Sequence, residues 1–342
     1  MSRALLHVGV HKTGSTSLQI ALEQNRRRLE TDGCALLPKD FPGTAPPAWG
    51  LKSGAAVAFH LQSRCRRLTR SASCNGNAHP TLNESLAELH GGLGAPGRFA
   101  NPEIWRFFTG FLLRSHANQS DVAISSEEFD QPTVDVPLLA AALRPFETTV
   151  VVVHRPFVDW LVSYHAEYHL HYTREAALSG RVTLPPPALE DFLTHDFIIR
   201  QASSEGTSSL PVHQRFSRYF DNVLMFELSP TFHEDLVCHV LKAPHTCASI
   251  KRARPVVVNA KGSRAEERMA SRDEKRLNST VCMDTATKRL LWALSVSIET
   301  RVRQLLTRAR PSWPIGSNAA SSIESGVALS FKRSGLRLCE AS

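Results

Sequence analysis

The sequence has no long hydrophobic run. No stretch approaches the roughly 18 apolar residues that a membrane-spanning helix needs, and the start of the chain lacks the apolar core of a signal peptide. We therefore expect a cytoplasmic protein without a membrane span. Three N-x-[ST] sequons, at Asn83, Asn118 and Asn278, favour the Golgi lumen instead, provided that an N-terminal anchor precedes this sequence.

The cysteines and histidines form no metal-binding or redox motif. No two cysteines make a C-x-x-C pair, and none lies at a zinc-like spacing from a histidine. The cluster His165, His169 and His171 has no carboxylate at a ligand spacing, so we expect no metal. We interpret the seven cysteines as mostly free thiols; they are Cys34, Cys65, Cys74, Cys238, Cys247, Cys282 and Cys339.

The composition is that of a globular protein with an excess of positive charge. Hydrophobic residues make up 42% of the chain and charged residues 21%, which is typical of one large domain or two small ones. The formal net charge is +8 at pH 7. Such a chain attracts anions, among them nucleotides, sulfated or phosphorylated glycans, nucleic acid and acidic membranes.

Apolar strands alternate with amphipathic helices along the chain. This alternation predicts an α/β fold in which helices flank a central, mostly parallel sheet. The predicted strands are 4–10, 121–126, 149–153 and 222–227. The predicted helices are 16–29, 103–116, 137–144, 157–179, 189–201, 211–220, 231–242 and 264–308.

Two segments depart from this alternation. Residues 39–101 are rich in Pro, Gly, Ser and Arg, and we interpret them as a variable insertion or as an excursion on the substrate side. Residues 309–342 are rich in Ser, Gly and Ala, and we expect a C-terminal tail that is partly disordered. The remainder, within 1–308, predicts a single α/β domain.

The segment GVHKTGSTS, residues 9–17, lies between the first predicted strand and the first predicted helix. The free N–H groups and the dipole at a helix start attract anions. Gly14 permits a close approach of the backbone, and Lys12 adds a mobile positive charge. The hydroxyl groups of Ser15, Thr16 and Ser17 add hydrogen-bond donors. The segment therefore predicts a phosphate-binding loop.

The order of residues in this loop decides between two kinds of phosphate site. A nucleoside-triphosphate loop requires Lys and then Ser or Thr directly after its second glycine, whereas here Ser15 and Thr16 follow Gly14 and Lys12 precedes it. The string HKTGSTS instead resembles the 5′-phosphosulfate-binding loop of the sulfotransferase superfamily, especially its bacterial-type members with His before the Lys.

This resemblance implies a sulfotransferase fold, of the kind shared with P-loop-containing nucleoside triphosphate hydrolases. It also implies 3′-phosphoadenosine 5′-phosphosulfate as the sulfuryl donor. Lys12 would then be a catalytic residue that supplies positive charge, and the reaction would need no metal. The residues that would bind the donor are His11, Lys12, Thr13, Gly14, Ser15, Thr16 and Ser17.

A second element of the same resemblance follows the four-valine strand. Arg155 comes after that strand, and Ser163 lies eight residues further along. Members of the family carry an Arg at a strand end and a Ser on the next helix that together hold the 3′-phosphate of the donor. The guanidinium group of an Arg is permanently charged and can donate two parallel hydrogen bonds, and the hydroxyl of a Ser adds an uncharged hydrogen-bond donor. The resemblance therefore implies the same role for Arg155 and Ser163.

A third element is the acidic pair at the end of the predicted strand 121–126. An acceptor hydroxyl must lose its proton when it attacks sulfur, so a carboxylate near the loop is a candidate general base. We favour Glu127 over Glu128, and a histidine in that role stays open because some relatives use one. The predicted reaction is sulfuryl transfer to a hydroxyl or amine of a glycan, lipid or small molecule.

Two other functions stay open. A P-loop kinase or another nucleoside-triphosphate enzyme would use Ser125, Ser126 and Glu127 to bind Mg²⁺. A non-enzymatic basic protein would bind polyanions through its charge, with a strong dependence on salt. We expect no nucleic-acid partner, because the basic run at 26–28 is typical of a solvated helix face.

Overall fold

The structure, a computed structural model, forms two compact units. The first consists of Met1–His154 and Ser204–Val256, and the second of Arg155–Ser203 and Val257–Ser342. The residues that the structure describes are 1–10, 15–38, 53–69, 102–165, 193–202, 206–229, 231–252, 281–283, 285–309, 323–333 and 336–338.

A five-stranded parallel sheet forms the centre of the first unit. Its spatial order is β2-β3-β1-β4-β5. The strands are β1 (Arg3–Val8), β2 (Cys34–Leu36), β3 (Asp121–Ser126), β4 (Glu147–His154) and β5 (Asn222–Glu227). The predicted α/β fold with a parallel sheet is confirmed. The short strand β2 was not predicted, because three residues show no periodicity.

Helices flank this sheet. Those described in the first unit are α1 (Ser15–Gln24), α2 (Arg26–Thr31), α3 (Ser53–Thr69), α4 (Pro102–Ala117), α5 (Val136–Leu143), α7 (Ser209–Phe216), α8 (Phe232–Asp235) and α9 (Pro244–Arg252). The second unit contains α6 (His195–Ala202), α10 (Thr285–Ala309) and α11 (Ile323–Arg333). Residues 157–165 are also helical, Glu127–Asp130 form a 3-10 helix, and Leu236–Val240 form a π-helix. The valines of β4 at 150–153 are fully buried, as expected for a strand that is covered on both faces.

The order of the strands reverses next to β1. The chain leaves β1 towards β2 at one edge of the sheet, whereas the connection after β3 crosses β1 to reach β4. The register pairs Val8 with Ser126, and the Gly9 N–H donates to the Ser126 carbonyl at 3.0 Å. The carboxyl ends of β1 and β3 therefore lie side by side at a switch point, where open α/β sheets bind ligands.

Helix α3 packs against this end of the sheet, although it falls within the predicted insertion 39–101. A Cβ atom on Gly54 would lie 2.5 Å from the Ser125 carbonyl oxygen and 2.8 Å from the Ser126 Cβ. Only glycine allows the helix to come this close. Gln62 also donates its side-chain amide to the Glu128 carbonyl at 3.2 Å. Residues 53–69 therefore support the strand end that carries the predicted general base.

The prediction that the cysteines are mostly free thiols is wrong for two of them. Cys238 in the π-helix and Cys247 in α9 form a disulfide. Their spacing matches no motif, and only the turn from the π-helix into α9 brings the Cα atoms within 5.0 Å. Cys34 is free and buried, and burial raises the pKa of its thiol to about 12.

The second unit combines helices with a small parallel pair of strands. Strands β6 (Val281–Met283) and β7 (Leu336–Leu338) form that pair. Glu299 on α10 accepts a hydrogen bond from the Phe157 N–H at 2.9 Å. Strand β6 lies where the sequence predicted a helix, and α11 and β7 lie within the predicted tail. No helix in the described parts of either unit is long and apolar enough to cross a membrane.

Candidate functional site

The turn after β1 begins and ends at two residues that are in contact. A Cβ atom on Gly9 would lie 1.9 Å from Ser15 Oγ and 2.8 Å from Ser15 Cβ. The side chain of Ser15, the first residue of α1, fits over Gly9 only because glycine has no Cβ. The chain therefore enters α1 directly above the carboxyl end of the central strand.

The start of α1 offers hydrogen-bond donors that the helix itself does not use. The first N–H groups of any helix have no intrahelical partner, and the helix dipole makes this end positive. Ser15 Oγ is buried, and it has no hydrogen-bond partner within the described part of the chain. Such a set of donors suits an anion.

His7 lies under this helix start, in the middle of β1. Its Nδ1 is 2.8 Å from Ser125 Oγ on β3, and its ring centre is 6.0 Å from that of Phe232. Burial, reinforced by His233, lowers the pKa of His7 from 6.5 to about 3, although the Glu127 carboxylate acts in the opposite direction. His7 is therefore neutral near pH 7. Its Nε2 finds no partner among the described residues.

Glu127 directly follows β3, at the level where the turn after β1 begins. The hydroxyl of Ser126 accepts from the Glu128 N–H at 3.1 Å and so caps the short 3-10 helix Glu127–Asp130. Both glutamates are buried. The strand register and the cap together fix the backbone of Glu127 beside Gly9.

A buried arginine holds the far end of the same 3-10 helix. Arg215 on α7 donates to the carbonyl oxygen of Asp130 and, at 2.7 Å, to that of Gly206. Burial lowers the pKa of Arg215 to about 10, opposed by the negative charge of Asp130. Arg215 remains charged at neutral pH, so these hydrogen bonds are charge-assisted. They anchor the segment that carries Glu127 to α7.

His233 on α8 also reaches the start of α1. Its Nε2 is 3.1 Å from Ser17 Oγ. Burial lowers the pKa of His233 from 6.5. The adjacent Phe232 is buried, with ring centres 6.0 Å from His7 and 6.2 Å from Phe226 on β5. This packing fixes α8 against the sheet.

The predicted site residues fall into three groups. Ser15, Thr16 and Ser17 form the first turn of α1, and Glu127 lies beside the turn after β1 in the same unit. The loop residues His11, Lys12, Thr13 and Gly14 lie outside the described residues. Arg155 directly follows β4, and Ser163 lies in the helix at 157–165; both belong to the second unit. Their roles stay predictions.

The arrangement in the first unit is suited to bind an anion beside a carboxylate. The start of α1, with its serine hydroxyls and the nearby histidine nitrogen, forms one side of the site. The acidic 3-10 helix Glu127–Asp130 forms the other side. Within the described ranges, no group of three or more His, Cys, Asp and Glu side chains could hold a metal ion.

Sequence reasoning missed two residues of this site. His7 leaves a signal in the sequence, because it is a polar residue inside an apolar strand, and such a residue needs a partner when it is buried. His233 leaves none, because Ser17 and His233 are 216 positions apart. Only the packing of α8 onto the sheet reveals their contact.

Comparisons with known proteins give no relative for this site. No family model, no curated protein and no solved structure matches this chain. The α/β architecture with its all-parallel sheet comes from the structure alone, and the function has to be argued from the site.

Proposed function

We propose that this protein is a sulfotransferase that uses 3′-phosphoadenosine 5′-phosphosulfate as its donor. The observation that carries the proposal is the place of the sequence HKTGSTS between the central parallel strand and helix α1. Gly9, before this sequence, donates its N–H to the carbonyl of Ser126, the residue that precedes Glu127 at the switch point of the sheet. The finer assignment to the sulfotransferase fold is part of the same proposal.

The described residues fit the phosphates of such a donor. Ser15 Oγ is a buried donor without a partner in the described residues, and it lies at the start of α1, where the helix dipole favours an anion. Lys12, Thr13 and Gly14 complete the loop in the sequence. In this proposal Arg155 and Ser163 bind the 3′-phosphate. Arg155 supplies a permanent positive charge, and Ser163 supplies an uncharged hydrogen-bond donor.

The proposed reaction is a single in-line displacement. The acceptor oxygen or nitrogen attacks the sulfur, and the bond between sulfur and the bridging oxygen of the 5′-phosphate breaks. The acceptor proton passes to the Glu127 carboxylate, while Lys12 stabilises the charge that develops on the leaving phosphate. Positioning and charge stabilisation dominate the rate, as in phosphoryl transfer.

The hydrogen bonds at the end of β3 argue against the kinase alternative. That function would need the hydroxyls of Ser125 and Ser126 as ligands for Mg²⁺. Ser125 Oγ is engaged by His7 and Ser126 Oγ by the Glu128 N–H, and both serines are buried. This pairing favours a site without Mg²⁺ between these strands.

The disulfide bears on the compartment. Disulfides form and persist mainly in oxidising compartments, so the Cys238–Cys247 bond favours such a compartment, of which the Golgi lumen is one, over the cytoplasm that the sequence led us to expect. The sequon residue Asn118 is exposed in the turn after α4, which is compatible with glycosylation in the lumen. We therefore propose an oxidising compartment for this activity, and the Golgi lumen requires in addition an anchor that precedes this sequence.

The decisive experiment measures sulfate transfer from labelled donor to a panel of glycans, lipids, alcohols and amines. We expect transfer to at least one class of acceptor. The Lys12→Ala variant should lose roughly 10²–10³-fold or more in turnover, as expected for a preorganised charge contact.

The matched control is Arg27→Ala, which removes the same charge from an exposed position on α2. Near-normal turnover of Lys12→Ala would exclude the proposal, and an equal loss in both variants would point to general charge attraction. A thermal-shift comparison of ATP-Mg with adenosine 3′,5′-bisphosphate tests the kinase alternative, since only the bisphosphate should stabilise a sulfotransferase.

A further inference from the structure

Two buried polar side chains face the same small space beside Gly9, at the start of α1. A Cβ atom on Gly9 would overlap Ser15 Oγ and would lie 3.2 Å from His7 Cε1. His7 is fully buried, and only 2% of Ser15 is exposed. Neither His7 Nε2 nor Ser15 Oγ has a hydrogen-bond partner within the part of the chain that the structure describes. The two groups therefore lack partners at one place.

The contact with Ser125 indicates which nitrogen of His7 carries the proton. His7 Nδ1 lies 2.8 Å from Ser125 Oγ, and this is the one hydrogen bond that the Ser125 hydroxyl makes among the described residues. If Nδ1 donated to that oxygen, the hydroxyl proton of Ser125 would have no acceptor there. Burial lowers the pKa of His7 to about 3, so at pH 7 a single ring nitrogen is protonated. That nitrogen is Nε2, next to Cε1.

An oxyanion would satisfy both groups. Buried donors are nearly always hydrogen-bonded, and an unpaired one is unfavourable. His7 Nε2–H and the Ser15 hydroxyl are uncharged donors near the positive end of the α1 dipole, which favours an anionic acceptor over a neutral one. Gln19 Oε1, one turn further along α1, also lacks a described partner, but it can only accept. The ligand therefore belongs on the side of Gly9.

We infer that His7 is a residue of the donor site and binds an oxygen atom of the 5′-phosphate through Nε2–H, next to Ser15. This inference rests on the proposed function and adds to it a side chain from within the central strand. The ring is held in advance by Ser125 and by packing against Phe232. Gly9 leaves the space through which the ring can reach the ligand.

The test uses two substitutions that replace different nitrogens of His7. The amide nitrogen of His7→Gln reaches about as far as Nε2, whereas the shorter side chain of His7→Asn can keep only the contact with Ser125. Calorimetric titration of the full chain compares adenosine 3′,5′-bisphosphate with adenosine 3′-monophosphate. For His7→Asn we expect about tenfold weaker binding of the bisphosphate, as for the loss of one such hydrogen bond, and unchanged binding of the monophosphate.

His7→Gln should bind the bisphosphate to within a few-fold of the unaltered protein. A purely structural role through Ser125 predicts the reverse order of the two variants. Ser15→Ala should also lose affinity for the bisphosphate alone. The matched control His116→Asn changes an exposed histidine of α4 and should bind both nucleotides normally. Retained binding of the monophosphate shows that each variant is folded.

A second measurement needs no folded variant, because it observes the unaltered protein. Nitrogen NMR of ¹⁵N-labelled histidines identifies the protonated ring nitrogen, and the signals of His7 are recognised as the buried histidine that stays neutral at pH 5. We expect the Nε2-protonated form. Its Nε2 signal should shift when the bisphosphate is added and should shift less with the monophosphate.

Several outcomes would overturn the inference. These are a proton on Nδ1, an Nε2 signal that responds equally to both nucleotides, or no binding of any nucleotide by the unaltered protein. Equal losses for both nucleotides in His7→Asn, or no loss, would also overturn it and would indicate that a buried water fills the space. If the protein binds adenosine 5′-monophosphate but gains nothing from a 3′-phosphate, the proposed function fails. The role of His7 is then decided by the His7→Asn loss towards that 5′-monophosphate relative to adenosine.

Discussion

Gly9 shows how one residue sets the geometry of the candidate site. Its missing side chain leaves the space that Ser15 occupies, and this contact closes the turn between β1 and α1. No backbone strain is involved, since the positive φ angles in the described chain lie elsewhere, at Gly33, Gln119 and Lys242. The requirement for glycine is purely one of space.

The substitution Gly9→Ala should therefore destabilise the protein. The added methyl group would overlap both heavy atoms of the Ser15 side chain, and such overpacking costs about 1–3 kcal/mol in free energy of unfolding. Chemical denaturation of the two proteins measures this difference.

The matched control is Gly110→Ala in α4, where the new methyl group would meet only the end of Arg114 at 3.4 Å. This change should be neutral or stabilise by about 0.5–1 kcal/mol, because alanine suits a helix interior better than glycine. If Gly9→Ala were as stable as Gly110→Ala, the close contact with Ser15 would be wrong.

At the scale of elements, α9 is capped by a residue from outside the helix. Asp32, which follows α2, accepts hydrogen bonds from the N–H groups of His245 and Thr246 at 3.0 and 2.9 Å. The Thr246 hydroxyl and the His245 ring add two further contacts. Asp32 thereby does what an N-cap residue does, and it also joins α9 to α2.

Removal of this cap in Asp32→Ala should cost about 1–3 kcal/mol, because the hydrogen bonds go to a charged carboxylate whose side chain is fully buried. Thermal and chemical unfolding measure the loss. Asp221→Ala changes an exposed aspartate just before β5 and should stay within about 0.5 kcal/mol of the unaltered protein. Equal stability of the two variants would refute the capping role.

The cap also has a defined dependence on pH. Burial by itself raises the pKa of Asp32, but the hydrogen bonds from Thr246 and His245 outweigh it and lower that pKa below 3.8. The stabilisation by Asp32 is therefore complete above the unfolded value of 3.8 and is lost as the pH falls through the lowered pKa.

At the scale of the whole molecule, three histidines whose pKa values are lowered by burial contribute to the response to acid below pH 6.5. Burial lowers the pKa values of His7, His213 and His233 below 6.5. Below pH 6.5 the unfolded chain takes up protons that the folded protein does not bind, so the free energy of unfolding must fall as the pH falls. For His7 this window extends from 6.5 down to about 3.

We expect the free energy of unfolding to decrease between pH 6.5 and 4.5, with at most about 1.4 kcal/mol per pH unit from each histidine. Denaturant titrations at several pH values measure this slope. His7→Gln removes one contribution and should give a shallower slope than the unaltered protein. A slope that is unchanged by this substitution would show that His7 is not held neutral.

The sequence by itself determined four of the five strands of the sheet and the position of the segment GVHKTGSTS between β1 and α1. Strands β3 and β5 coincide with their predicted limits, because each is a short run of apolar residues with polar residues at its ends. The sequence signal of the loop is also local. It consists of glycine, lysine and hydroxyl residues within nine consecutive positions between a strand and a helix.

Only the tertiary structure decided which distant residues meet at the switch point. The pairing of β1 with β3 places Glu127 beside Gly9, and α8 brings His233 to Ser17. The disulfide and the cap by Asp32 are also contacts between segments that no local pattern connects. Local periodicity reports which face of an element is apolar, whereas these contacts depend on how whole elements pack, and packing is a property of the complete chain.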